Sequence, residues 1–265
     1  MKRPLLLFLA ILLPGLAVAR AVRVLDMKTL IAESQIVFVG RVEAIEPTGM
    51  GTSLSYPTVR DVAFTWLNMK TKVVEPVKGV RKGDTIQTAI LSVDREKTQH
   101  PVLINGPGMI KPQTNALYLL CLLPTTHTNL FAALTAPYDD NQSIFILDRS
   151  FWLYGSYAKQ RQSGTLLPRE YDTRYDAVWS LVDEAGNLLP QGAEQMRKNY
   201  AVEIASPPTT NAVIHLQWQT HTSPSGWQWD VPKGQTAPTE PGGPVTMPSM
   251  ETKQRREQDG RRTTP

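Results

Sequence analysis

The chain holds a single cysteine, Cys121, among its 265 residues. A disulfide-stapled exported domain shows an even set of cysteines, so this one must hold together by burial. Cys121 lies within Ala116-Leu117-Tyr118-Leu119-Leu120-Cys121-Leu122-Leu123. In such a run a thiol acts as a small apolar residue with a raised pKa, structural and not nucleophilic. Histidine is also scarce: of His100, His127, His215 and His221, the last two stand six apart, on one face of an unbroken strand, and lack a nearby cysteine or carboxylate to complete a site. With neither H-E-x-x-H nor C-x-x-C present, no metal is expected. Glycine-rich phosphate loops and the G-x-S-x-G elbow are missing as well, so no cofactor and no serine hydrolase motif are expected. Positive charge is slight. Of the formal net charge of +4, Lys2, Arg3 and Arg20 supply three, and the chain from residue 22 carries +1. This gives no argument for a nucleic-acid partner.

Long apolar runs are absent except at the start. Met1-Lys2-Arg3 leads into Leu5 to Leu13, and Ala17-Val18-Ala19 follows. A short cationic segment, an apolar core and a small-x-small site form a secretory signal. The run falls short of the roughly 20 apolar residues of a spanning helix. The expectation is that residues 1–21 are a cleaved signal, that the protein is periplasmic or secreted, and that no transmembrane segment follows.

What the chain does have is strand patterning. Asp26 is placed to cap a short helix over 25–34. The stretch 35–46 reads as a strand whose second half alternates apolar and charged residues, with Gly40 marking a bulge or bend that curves a sheet. A Gly/Ser/Thr-rich loop follows over 47–57, and further strands are expected over 59–77, 85–93 and 116–123. The last is apolar on both faces and so central. The stretches 129–135 and 143–147 read as a hairpin through Pro137-Tyr138-Asp139-Asp140-Asn141, with a last strand at 151–154. Strands at this spacing predict a barrel or sandwich. Helical periodicity then takes over, giving helices at 169–185 and 192–205. From Pro232 the chain is rich in Pro, Gly, Thr and charge, a composition that predicts disorder.

Three segments carry a resemblance. They are the short helix running into Ile36-Val37-Phe38-Val39-Gly40-Arg41-Val42, then Lys72-Val73-Val74-Glu75-Pro76-Val77-Lys78-Gly79 with Gly83-Asp84-Thr85-Ile86, then the Pro/Gly-rich lead into Leu117-Tyr118-Leu119-Leu120-Cys121-Leu122. Together they resemble exported bacterial OB-fold-like domains of the type compared with tissue inhibitors of metalloproteinases. The resemblance implies a small closed barrel. It does not imply inhibition, because those inhibitors chelate metal through an N-terminal cysteine that this chain lacks.

The expected organisation is mainly β: a signal over 1–21, an OB-like β-barrel over 22–155, an α-helical extension over 156–205, and a tryptophan-containing segment with a disordered tail over 206–265. The candidate binding residues are Trp218, Trp227 and Trp229 around Pro224-Ser225-Gly226, since aromatics suit stacking on sugars or anchoring a partner. The plainer alternative has this segment folding back over an open end of the barrel. Asp139-Asp140 reads as a turn. The function expected is a non-enzymatic exported binding module for an envelope protein or glycan, its oligomeric state open. Two alternatives stand beside it. One is an envelope hydrolase assembled from distant residues, with Asp139, Asp140, His127 and Tyr154 the first to inspect. The other is a structural accessory of an envelope assembly.

Overall fold

The computed structural model describes residues 25–52, 63–94, 96–98, 109–135, 139–148, 173–222 and 228–232. The expected signal, the strand at 151–154, Trp227 and the tail beyond 232 lie outside these residues. Helix α1 (Met27–Glu33) begins where the capping signal places it: Asp26 Oδ1 accepts from the Thr29 amide at 2.7 Å. Its other end is closed less ordinarily. The Lys78 ammonium is buried and donates to the Ile31 and Ala32 carbonyls at 2.9 and 2.8 Å. The last carbonyls of a helix have no intrahelical partner, and a cation at that end also matches the helix dipole.

Six strands follow: β1 (Ile36–Thr52), β2 (Phe64–Lys78), β3 (Thr85–Val93), β4 (Leu117–Pro124), β5 (Leu130–Ala133) and β6 (Ile144–Ile146). β1 pairs antiparallel with both β2 and β4, β2 with β3, β3 runs parallel to β5, and β5 returns to β4. The ring β1-β2-β3-β5-β4 is therefore closed, a five-stranded barrel of OB-like form with no free edge in the ring. β1 bends as it leaves β4. Register shifts between Val39 and Gly40, and a Cβ at Gly40 would fall 2.3 Å from Thr71 Cγ2 and 2.7 Å from the Phe38 ring. Only glycine lets the two strands approach so closely there.

The expected hairpin of 129–135 with 143–147 does not form. β5 and β6 both run antiparallel along the same edge of β4: Ala133 is opposite Leu122, and Ile144 is opposite Leu120. They behave as one strand interrupted by the excursion 134–143. Thr135 Oγ1 and Ser143 Oγ, 2.7 Å apart, close the base of that excursion. Turn residues between two apolar runs signal a reversal, and here they mark an insertion within a strand.

Alternation sorts the side chains. Phe38, Val42, Met69, Val73, Ile90, Tyr118, Leu120 and Leu122 fill the interior. The neighbours Val37, Val39, Leu119 and Cys121 face outward into a second cluster with Leu30, Ile31, Val178, Leu181 and Met196. β4 is thus buried on both faces, as its sequence requires, and the Cys121 thiol is pushed up to about 12 by burial.

The outer cluster is completed by helices α2 (Thr173–Trp179) and α3 (Gly192–Tyr200), both shorter than periodicity predicts. After α2 the chain reverses through a turn in which Asp183 Oδ1 accepts from the Ala185 and Asn187 amides, with Gly186 at φ +83°. Ala201 ends α3 in the left-handed region, with the Val202 amide donating to the Arg197 carbonyl and the Ala201 amide to that of Lys198. This is the Schellman arrangement, which stops a helix whatever periodicity follows. A separate two-stranded ribbon, β7 (Trp218–Thr222) with β8 (Gln228–Pro232), closes the described chain. No helix among the described residues is long and apolar enough to cross a membrane.

Candidate ligand-binding groove

The barrel has a second outer face, on residues 64–68 of β2 with β3 and β5, and the apolar cluster packed on it includes no residue of the helices. Its outward residues form two halves. Phe64, Trp66, Ala89, Leu91 and Ala132 make an apolar half, covered by Leu216 and flanked by Ile214. Beyond it the same strands offer Asn68, Gln87 and Leu130. With Pro47, Thr48 and Met50 at the end of β1 and His127 and Thr128 in the β4–β5 connection, these line an open groove of about 320 Å³.

Each wall is fixed by local bonding. Thr48 Oγ1 donates to the Trp66 carbonyl at 2.7 Å and accepts from the Met50 amide at 3.0 Å, holding the end of β1. Asn68 Nδ2 donates to Gln87 Oε1 at 2.9 Å, joining the two amides across the β2–β3 pair. Asn68 Oδ1 is enclosed and takes no hydrogen bond. The β4–β5 connection is a tight turn. The Thr125 amide donates to the Leu130 carbonyl at 2.9 Å, the His127 amide donates to Thr125 Oγ1 at 3.0 Å, and Asn129 adopts φ +59°. Asparagine tolerates that left-handed position better than most residues.

Among the described residues no lysine, arginine, aspartate or glutamate lines the groove. Its polar groups are amides, hydroxyls and one imidazole, which both donate and accept. Its apolar groups are Met50, Leu130 and Pro47. Polyanions such as nucleic acids owe much of their affinity to lysine and arginine, so this lining suits uncharged, hydroxyl-bearing ligands better than polyanions.

Of the residues singled out from sequence, Trp218 and Trp229 stand on the β7–β8 ribbon, and Trp227 lies outside the described residues. Trp218 is paired with Pro232 and Trp229 with His221, so register assigns positions 218 and 229 to opposite faces of the β7–β8 ribbon. His127 reaches the groove, whereas Asp139 and Asp140 stand on the 134–143 excursion and do not line it; Tyr154 lies outside the described residues. Asp140 is 2% exposed. Its Oδ1 accepts from the Ile110 amide at 2.7 Å, its Oδ2 has no partner, and burial raises its pKa to about 8. It holds the Ile110 backbone against the excursion. Among the described residues no cluster of three or more His, Cys, Asp or Glu side chains could hold a metal.

Sequence reasoning missed Asn68, Gln87 and Thr48 because nothing in an isolated Asn or Gln on a strand marks it as functional. A signal was nonetheless available: in the run Phe64 to Lys70, positions 64 and 66 are apolar and 68 and 70, on the same outward face, are polar. Comparison of the chain with protein-family models, with curated proteins and with solved structures returned no match.

Proposed function

We propose that this is an exported, non-enzymatic binding module of the cell envelope, and that it takes an uncharged, hydroxyl-rich ligand such as a neutral glycan in the β2–β3 groove. One observation carries the reading. The face of strands 2 and 3, together with the connections before β2 and between β4 and β5, is where barrels of this form take their ligands. Among the described residues that line the groove there, this chain gathers Thr48, Asn68, Gln87, His127 and Thr128 and no charged side chain; Lys70, next along the same face, is paired with Glu46. Sugars present hydroxyls at their edges and C–H surfaces on their faces. Amide and hydroxyl groups would meet the first, and Met50, Pro47 and Leu130 the second. The enclosed, unpartnered Asn68 Oδ1 adds support: an unmade hydrogen bond is costly, and a ligand hydroxyl that turns the amide would supply it. The cationic and apolar opening of the chain supports export, the setting in which such ligands occur.

The test is titration calorimetry of the chain from residue 22 onward against neutral oligosaccharides, the N-acetylglucosamine tetramer among them. Binding is expected for at least one, weakened about tenfold or more by Asn68→Ala, as suits loss of a hydrogen bond worth roughly 1.4 kcal/mol. Binding unaffected by Asn68→Ala and Gln87→Ala together would remove the groove from the account.

A further inference from the structure

The chain from Ile204 to Gln217 has no regular structure beyond a single bridge, yet it is fixed to the barrel at successive points. The Gly79 amide donates to the Ile204 carbonyl at 2.6 Å, and the Thr209 amide donates to the Ala32 carbonyl at 3.1 Å. Ala32 O is also an acceptor for the buried Lys78 ammonium, so the strap and the end of α1 share one carbonyl. The strap then passes to the other side of the barrel. There the Ile214 amide donates to the Pro124 carbonyl at 2.9 Å, the Thr126 amide donates to the Ile214 carbonyl at 3.2 Å, and Thr125 and Ile214 form a parallel bridge. Finally the Trp66 indole N–H donates to the Leu216 carbonyl at 2.7 Å, with the Leu216 side chain fully buried against the apolar half of the β2–β3–β5 face.

Two of these anchors bracket the start of the β4–β5 connection, one at Pro124, the last residue of β4, and one at Thr126, immediately before His127 and Thr128. Exposed connections take their shape from whatever satisfies their backbone groups. Here the barrel supplies only part of that: the turn's internal bonds join Thr125, His127 and Leu130, while the Thr126 amide is satisfied from outside the barrel.

We infer that the strap is a positioning element for the groove: without touching a ligand, residues 209–217 set the conformation of the β4–β5 connection and so place His127 and Thr128. The strap also closes off the apolar half of the face, which limits the ligand to the polar half. Trp66 serves both purposes. Its ring forms the floor under Leu216 and its N–H fixes the strap.

The consequence for affinity rests on the groove reading proposed above; the consequence for loop conformation does not. Both are measured in the full chain from residue 22. Ile214→Pro removes the amide that donates to Pro124, and Leu216→Ala removes the apolar anchor while leaving every backbone bond possible. Hydrogen exchange without ligand is followed at Thr125, Thr126 and Leu130, with Val39 and Leu119 as internal references. Exchange at the three loop amides is expected to rise about tenfold in either variant, the change that follows loss of one hydrogen bond of ordinary strength. The reference amides are expected to hold their rates. Affinity for the N-acetylglucosamine tetramer is expected to fall by a similar factor. Loop exchange unchanged in both variants would overturn the inference, whatever the affinity does. Loop exchange raised, with no binding of the probe even by the unaltered chain, would uphold the strap's role and count against the groove as a glycan site. Raised exchange with undiminished binding would overturn the claim that the strap serves the groove.

Discussion

The barrel's two outer faces have the same origin and different outcomes. On β1 and β4 the outward residues Val37, Val39, Leu119 and Cys121 are apolar, and three helices cover them completely. On β2, β3 and β5 the outward residues change from Phe64, Trp66 and Leu91 to Asn68 and Gln87, and among the described residues only the apolar half is covered, by an irregular strap. A face that is apolar throughout is a packing surface, and its cover is part of the core. A face that turns polar halfway cannot be covered by a helix without burying unpaired amides. The first face supplies stability, and among the described residues the second keeps its polar half uncovered.

That contrast can be broken first where burial is deepest. Leu119→Ala opens a cavity between β4 and the helices and is expected to cost about 3 kcal/mol, while Leu130→Ala, at the groove, is expected to cost under about 1 kcal/mol. Urea unfolding of the two variants measures both, and similar losses would erase the distinction between the faces.

The next effect concerns the turn joining the β1–β2 pair to the strap. Gly79 has φ +73°, and a Cβ there would lie 2.4 Å from the Gln35 carbonyl oxygen. Gly79→Ala is expected to lose about 2 kcal/mol or more from left-handed strain and backbone collision together, read as a lowered urea midpoint.

The buried cation follows. Lys78→Met leaves the Ile31 and Ala32 carbonyls at the end of α1 without their donor, at about 1–2 kcal/mol after relief of the ammonium's desolvation. Desolvation by burial lowers the Lys78 pKa, so its amine takes up a proton less readily in the folded chain than in the unfolded one. Stability therefore rises with pH from the folded value toward the unfolded lysine value near 10.4, and Lys78→Met should flatten that alkaline rise.

Asp140 titrates in the opposite sense. Its folded pKa of about 8 lies above the unfolded value of roughly 3.9, so its contribution is fully present below about pH 4 and is lost as pH rises toward 8. Asp140→Asn keeps an acceptor for the Ile110 amide and cannot ionise. Unfolding curves at pH 5 and pH 8 should differ less for the variant than for the unaltered chain, and an equal difference would show that Asp140 is ionised in the fold.

The barrel was legible from sequence for a physical reason. Strand alternation in 36–46, the doubly apolar run of 116–123 and the glycine at 40 each answer to a local rule, and each holds in the fold. The pairing of β5 and β6 was not legible. Whether two short apolar runs joined by turn residues pair with each other or with a third strand depends on which edge is vacant, and that is decided by β4 and not by the turn residues between the runs. The helix lengths failed where polar backbone bonds overruled periodicity, at Asp183 and at Ala201. The groove was hidden because its residues come from four separate segments and none has an unusual side chain. The tryptophans attract notice by type, whereas Asn68 and Gln87 stand out only by their place in the groove.

The most direct test of the account is amide chemical-shift mapping on the isotopically labelled chain from residue 22, titrated with the N-acetylglucosamine tetramer and with an anionic oligosaccharide of equal length. The account predicts saturable shifts for the neutral sugar at Thr48, Asn68, Gln87, His127 and Thr128, the Asn68 and Gln87 side-chain amides included, and weaker shifts for the anionic one. Shifts confined to the β7–β8 ribbon around Trp218 and Trp229, or shifts for the anionic sugar alone, would contradict it.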